Sequence, residues 1–336
     1  MKTVILILTI TIIFLVSCAK LSEPFIKEKV LEIEHIYQTT GYAMDVYVSN
    51  SLIYIAEDQG GFSIYDRTTD TLICHYENIA LENIQLITAV EEEKLLFIYN
   101  KYGSATGIHV FDITYLDNPV IISAVMGQSD DIVDLVCISN EEGDIDIFWT
   151  NKTEFIGGKY NGIGCFPFSF SNSVNGFDLD SNYVYITGDQ LGLYICEYEI
   201  DEETGTVIDS ILSNSDTPGE ALAVKVVGNF AYIADRQAGL QVIDILDKEN
   251  PKLLEDAEFD IDYGHAQSVD AEGSYLAVSF GGGGIYLFDI SESDNPVYLD
   301  RKSSDEVGYI YKCVFSNGEL FLASRDMGVI KLKINK

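Results

Sequence analysis

The sequence is poor in positive charge. Twenty Lys and Arg stand against 54 Asp and Glu, a formal net charge of −34 over 336 residues. A surface this acidic repels phosphate backbones and excludes nucleic acid as a partner. It also disfavours docking on anionic lipid head groups by charge alone. Histidine is scarce, with four in the chain, and no HxxxH or HExxH spacing occurs, so the sequence carries no zinc signature. No GxSxG elbow and no phosphate-binding glycine loop is found, and Gly281–Gly284 opens no helical pattern. There is no CxxC pair. The chain has a single Trp, Trp149, so it carries no tryptophan-based repeat. After the first 20 residues, helix-type amphipathic segments are hard to find.

Apolar residues suited to strands fill that place. The chain is 47% hydrophobic and 12% aromatic, rich in Tyr, Ile, Val and Phe. It can bury a large core.

The first 20 residues read as an address. One base, Lys2, precedes an apolar run from Val4 to Val16. That run fits a signal h-region and is short for a membrane-spanning helix. It ends in Leu15-Val16-Ser17-Cys18, which resembles the bacterial lipoprotein lipobox. The resemblance implies cleavage before Cys18 and lipidation of that cysteine, giving a membrane anchor. Ala19 follows, so an Asp inner-membrane retention signal is absent, and the outer membrane or cell surface is favoured. The chain then divides into a signal peptide (1–17), a lipidated Cys and short tether (18–28) and a repeat domain (29–336). Of the remaining cysteines, Cys74, Cys137, Cys165, Cys196 and Cys313, each sits in an apolar run and reads mainly as core. Cys137 and Cys165 are the pair that could bridge.

The repeat is set by a glycine that opens an apolar run. It recurs as GFSIYDR at Gly61, GIHVFDI at Gly107, GLYICEY at Gly192, GLQVIDI at Gly239, GIYLFDI at Gly284 and GVIKLKI at Gly328. A weaker copy, GIGCFPF, begins at Gly162. The mean spacing, about 44 residues, is that of a four-stranded propeller blade. Within the unit around Gly239, residues 221–227, 229–235 and 239–245 form three nearly continuous apolar strands, as expected when neighbours cover both faces. A fourth, more polar strand begins at Pro251, and proline belongs on an edge. Asp66, Asp112, Asp244 and Asp289 end the third strand, with Glu197 in a fifth unit, and are read as turn acceptors, not catalytic acids. The third unit departs: Pro167 takes the Asp position, the preceding loop "NKTEFIGGKYNG" is long, and the outer strand is expected to be short or missing.

The stretches LQVIDILDKENPKLL, IYLFDISESDNPVYL and IHVFDITYLDNPVII, each preceded by a YIAD-like strand, resemble the LVIVD repeat family. That resemblance implies a β-propeller of a bacterial or archaeal cell-surface protein, with no common enzymatic activity. The expected fold is therefore all-β: a single propeller of seven four-stranded blades. The last unit lacks a fourth strand, and residues 29–37 are expected to supply it and close the ring.

Propeller loops joining strands two and three share a face with the blade-to-blade connections. The expected binding residues on that face are Tyr42, Asp58, Tyr102, Glu220, Asp235, Arg236, His265, Tyr309, Arg325 and Asp326. The leading reading is a non-catalytic envelope lipoprotein that binds a protein or envelope glycan there, without metal or cofactor. The alternative is a polysaccharide-directed hydrolase or lyase using Glu220, His265 and Tyr309. The acid-rich stretches 140–146 and 178–182 are weaker candidates for calcium.

Overall fold

The structure is a computed structural model that describes residues 30–103, 105–125, 131–140, 143–160, 164–199, 207–254 and 264–335. Seven four-stranded antiparallel sheets form a ring. Strand β1 (Leu31–Tyr37) comes first and belongs to the last blade. Blade 1 is β2 (Asp45–Val48), β3 (Leu52–Ala56), β4 (Phe62–Asp66) and β5 (Thr71–Tyr76). Blade 2 is β6 (Ile84–Val90), β7 (Leu95–Asn100), β8 (Gly107–Asp112) and β9 (Val120–Val125). Blade 3 is β10 (Asp134–Ser139), β11 (Ile145–Thr150), β12 (Glu154–Tyr160) and β13 (Gly164–Ser169). Blade 4 is β14 (Phe177–Leu179), β15 (Tyr183–Thr187), β16 (Leu193–Tyr198) and β17 (Ile208–Ser215). Blade 5 is β18 (Ala223–Val227), β19 (Phe230–Ala234), β20 (Leu240–Asp244) and β21 (Lys252–Leu253). Blade 6 is β22 (Ser268–Glu272), β23 (Tyr275–Ser279), β24 (Ile285–Asp289) and β25 (Val297–Lys302). A single helical turn, α1 (Ser304–Val307), leads to blade 7: β26 (Ile310–Ser316), β27 (Glu319–Ser324) and β28 (Gly328–Ile334), with β1 as its outer strand.

Successive strand side chains point to opposite faces, so each middle strand feeds two seams. In β3, Ile53 and Ile55 pack toward blade 7, while Tyr54 and Ala56 pack toward blade 2. The buried apolar residues sort into seven clusters, one for each seam between neighbouring blades. This is why the repeat reads as continuous apolar runs and not as alternation.

Gly61 and Gly284 open third strands with φ of 84° and 86°. A Cβ at either would stand 2.0 Å from a carbonyl oxygen of the outer strand, that of Tyr76 or Lys302. The repeating glycine is thus both a left-handed turn and a close approach. The Asp column works as a turn acceptor: Asp244 takes the Leu246 N–H at 2.9 Å, Asp66 takes Thr68 and Thr69 at 2.8 Å, and Asp289 takes Ser291 at 2.8 Å. These bonds hold the carboxyls of Asp66 and Asp289 below the ordinary aspartate range.

Blade 3 corrects two expectations. The run after Gly162 is not a third strand; Gly164–Ser169 is the outer strand β13, and it is six residues long. The stretch expected to be a long loop contains the third strand, β12. The strand opens with Glu154 instead of glycine, and only three positions separate it from β13, where blades 2, 5 and 6 have the longer Asp-to-Asn-Pro turn. Pro167 lies on the outer edge strand, opposite Ile156. Cys137 and Cys165 fall on β10 and β13, the two ends of this sheet, three strand spacings or about 14 Å apart. That is too far for a bridge, and all five described cysteines are free thiols.

The ring closes at β1 and β28, from Leu31 opposite Ile334 to Tyr37 opposite Val329. Leu31 and Tyr37 are fully buried. At the seam with blade 1, Arg67 donates to Ser49 O of its own blade at 2.6 Å and, across the seam, to Ser316 O at 2.6 Å, pairs with Glu319 at 2.7 Å and lies over the Phe321 ring. Lys331 adds bridges to Glu319 at 3.0 Å and Glu34 at 3.2 Å.

Candidate functional site

In four blades the loop between second and third strands clamps the blade to the next. Asp58 bridges to Ile84, Asp189 to Ala221, Arg236 to Ala266 and Gly281 to Ile310. The four bridging residues share a left-handed backbone, with φ of 50°, 50°, 37° and 53°. For a residue with a Cβ this costs of order 1 kcal/mol, and the paired backbone on both sides holds it in place. The side chains of these loops consequently sit at fixed points around one mouth of the central channel.

Three residues at the ends of second strands turn inward. Glu57 accepts from Thr40 N at 2.8 Å, Asn100 from Asn83 N at 2.9 Å and Asp235 from Gly219 N at 2.8 Å and Thr217 Oγ1 at 2.9 Å. All three are fully buried. Asp235, expected on the binding face, is therefore an internal acceptor that holds the entry turn of its own blade. Burial pushes its carboxyl above the usual range, against the two hydrogen bonds it accepts.

Five of the expected residues line two adjoining cavities over blade 1. The first, about 600 Å³, lies at the seam with blade 7 and is lined by Tyr42, Asp58, Arg325 and Asp326 among others. The second, about 770 Å³, lies toward blade 2 and is lined by Tyr102, Asn78 and Asn83. Gln59 and Glu77 line both. Both volumes fall in the range of small-molecule sites, roughly 300–1,000 Å³. Asp58 accepts from Gln85 at 2.9 Å and from Asn83; partial burial still keeps its carboxyl above the usual range. Arg325 pairs with Asp326 at 3.0 Å and lies over the Tyr309 ring at 5.0 Å. That pairing holds the Asp326 carboxyl below the usual range. Lys101 lies over Tyr102 at 5.4 Å.

The other expected residues stand farther round the mouth. Glu220 is ion-paired to Arg236, His265 is exposed, and the Tyr309 hydroxyl accepts from Gln267. No hydrogen bond joins Glu220, His265 and Tyr309 to one another among the described residues. Among the described residues no cluster of three His, Cys, Asp or Glu side chains is arranged for a metal ion. Asp178 and Asp180, in one calcium candidate, are spent on backbone N–H groups. The other candidate includes residues 141–142, which lie outside the described residues, as does Cys18.

The channel wall carries charges that the repeat does not announce. Asp45 accepts from Ile87 N of the next blade, Asp134 from Phe177 N, Asp178 from Val226 N and Asp270 from Phe315 N, at 2.7 to 3.2 Å. Lys225 meets Asp270 at 3.1 Å, and Lys312 meets Asp45 at 2.9 Å. Each bond crosses a seam, so the innermost strands are stapled in succession. Burial drives the Asp134 carboxyl upward, with Lys312 pulling the other way. Burial works against the Lys312 ammonium, but Asp45 and Asp134 outweigh it and hold it above the ordinary lysine range.

The family comparison matches three units of this architecture. The LVIVD repeat profile fits residues 40–66, 218–257 and 263–301. The chain carries LVIVD repeats. The three matched segments contain the entry turn and inner strands of blade 1 and nearly all of blades 5 and 6. Two solved structures show the same fold at low sequence identity. The crystal structure of the computationally designed Ika8 protein is 11% identical, with a TM-score of 0.62 over 90% of this chain and 98% of that one. Raptor from Chaetomium thermophilum is 12% identical, with a TM-score of 0.69 over 92% of this chain; the chain spans 29% of Raptor's length. No curated protein matches the chain. Outside the profile, blade 3 departs most from the LVIVD pattern. It lacks both the opening glycine and the Asp turn.

The channel charges were missed because they occupy two depths. By strand register Asp45 and Asp134 stand opposite the last residue of the second strand, whereas Lys225 and Asp270 stand two residues farther along. They never form one column of the LVIVD repeat, and in a chain this acidic an isolated Asp offers no contrast.

Proposed function

We propose that this chain is a non-catalytic binding module of the bacterial cell envelope. Its loop face holds a protein or envelope component, and a lipid on Cys18 anchors it. The supporting observation is the pair of adjoining open cavities edged by Tyr42, Asp58, Tyr102, Arg325 and Asp326. Exposed aromatics with charged neighbours are the residue types that carry contact energy in recognition surfaces, and the ring holds them on a rigid scaffold.

Two experiments test the two halves. In-cell crosslinking of the tagged chain, followed by mass spectrometry, should capture a partner that a charge-reversed Asp58→Lys/Asp326→Lys chain loses. Equal capture by both chains would reject this face as the binding surface. For the anchor, metabolic labelling with an alkyne fatty acid should mark the native chain and leave Cys18→Ser unlabelled. Label retained in Cys18→Ser would reject lipidation at that cysteine.

A further inference from the structure

The two cavities over blade 1 form a trough with Gln59 at its centre. At one end Tyr42 is 52% exposed, and at the other Tyr102 is 59% exposed. Gln59 is exposed, and its side-chain amide has no partner among the described residues. Asn78 and Glu77 add a second amide, already bonded to Tyr76 Oη and Ala80 N, and a carboxylate that keeps one oxygen beside His75 and the other toward the trough. Each is a planar group that offers paired acceptors or donor and acceptor side by side. A pyranose ring is the ligand that matches both features. Its neighbouring hydroxyls bond to planar amides and carboxylates in pairs, and its C–H face packs flat against an aromatic ring that also has a polar tip.

We propose that this trough binds a neutral oligosaccharide. One sugar ring lies against Tyr42 and another against Tyr102, with Gln59 bonding the hydroxyls between them. The inference rests on the binding-module reading and gives it a ligand class. Charge selects a neutral glycan over an acidic one. Asp58, Glu77 and Glu82 face the trough, and the cation in its lining, Arg325, is already paired with Asp326. A uronic acid or phosphorylated sugar would set its anion among uncompensated carboxylates.

The test is calorimetric titration of the full chain with cellotetraose, maltotetraose, laminaritetraose, chitotetraose and, as the acidic comparison, tetragalacturonate. At least one neutral tetrasaccharide should bind with Kd of about 1 mM or tighter. Tyr42→Ala, Tyr102→Ala and Gln59→Ala should each weaken it by about fivefold or more. Tyr42→Phe and Tyr102→Phe, which keep the ring face, should stay within about twofold of the native chain. Tetragalacturonate should bind at least about tenfold more weakly. Two outcomes overturn the inference: no neutral tetrasaccharide binds, or binding survives in a Tyr42→Ala/Tyr102→Ala chain with an unchanged melting temperature. If the sugars fail while Asp58/Asp326-dependent capture of a partner persists, the glycan inference falls and the module reading stands. If both fail, both fall.

Discussion

Deleting residues 30–37 is expected to lower the melting temperature by about 10 °C or more and to make the chain associate. The segment is β1, the outer strand of blade 7. It carries two fully buried side chains, Leu31 and Tyr37, and packs Ile33 and Ile36 against the seam with blade 6. At about 1.5–3 kcal/mol for each fully buried apolar side chain, Leu31 and Tyr37 alone contribute roughly 3–6 kcal/mol. That is a large share of the 5–15 kcal/mol by which domains are usually stable. Deletion would also bare the edge of β28, whose unpaired backbone invites a second chain. Circular dichroism melts and light scattering check both effects. A monomer melting within a few degrees of the native chain would mean that the stacking of blades 7 and 1 suffices without the strand.

Arg67→Ala is expected to destabilise the ring by about 1–3 kcal/mol, because it takes the donors from the Ser49 and Ser316 carbonyls, while Glu319 keeps Lys331. Arg67 is 7% exposed and reaches across the closing seam to Ser316 and Glu319. Arg67→Lys should recover only part of the loss, since an ammonium cannot supply the fork of donors that serves Ser49, Ser316 and Glu319 together. Acid gives an independent reading. Burial raises the Glu319 carboxyl, but Arg67 and Lys331 outweigh it and hold it below the ordinary glutamate value of 4.5. A depressed carboxyl contributes stability that is present above the unfolded value and disappears as pH falls through the folded one. The native chain should therefore lose part of its stability as pH drops below 4.5, and Arg67→Ala should shrink that acid-dependent part. Urea titrations at a series of pH values measure it. Equal acid slopes in the two proteins would remove Arg67 from that account.

The fold was legible because one glycine and one aspartate recur in phase. Gly61, Gly239 and Gly284 mark a turn that needs a left-handed backbone, and Asp66, Asp244 and Asp289 mark the next turn. Where blade 3 dispenses with both, the eye moves to Gly162, one strand too late. The continuous apolar runs announced two covered faces, and the strand-like stretch 29–37 ahead of the first unit announced β1, which pairs with β28. The site was legible only as a face. Repeat phase places Asp58 and Asp235 in neighbouring columns, but it does not tell a clamp that faces the cavity from an acceptor turned into the protein. Glu77 and Asn78 escaped because the link between β5 and β6 lacks the entry glycine that Gly41, Gly219 and Gly264 give other units. Their meeting with Tyr42 and Tyr102 exists only once three blades are side by side.

The seam between β1 and β28 also sets an order of events. It joins Leu31 to Ile334, whereas hairpins within blades join residues tens of positions apart or fewer. In an unstructured chain, bringing such distant segments together costs about 5 kcal/mol in loop entropy. Once the blades between them have stacked, the two strands are already neighbours and that cost has been met. During synthesis β1 emerges first and waits for a partner made last, while every other sheet can assemble from what has already appeared. The clasp that completes the circle is thus its latest part to form, and local opening should begin there.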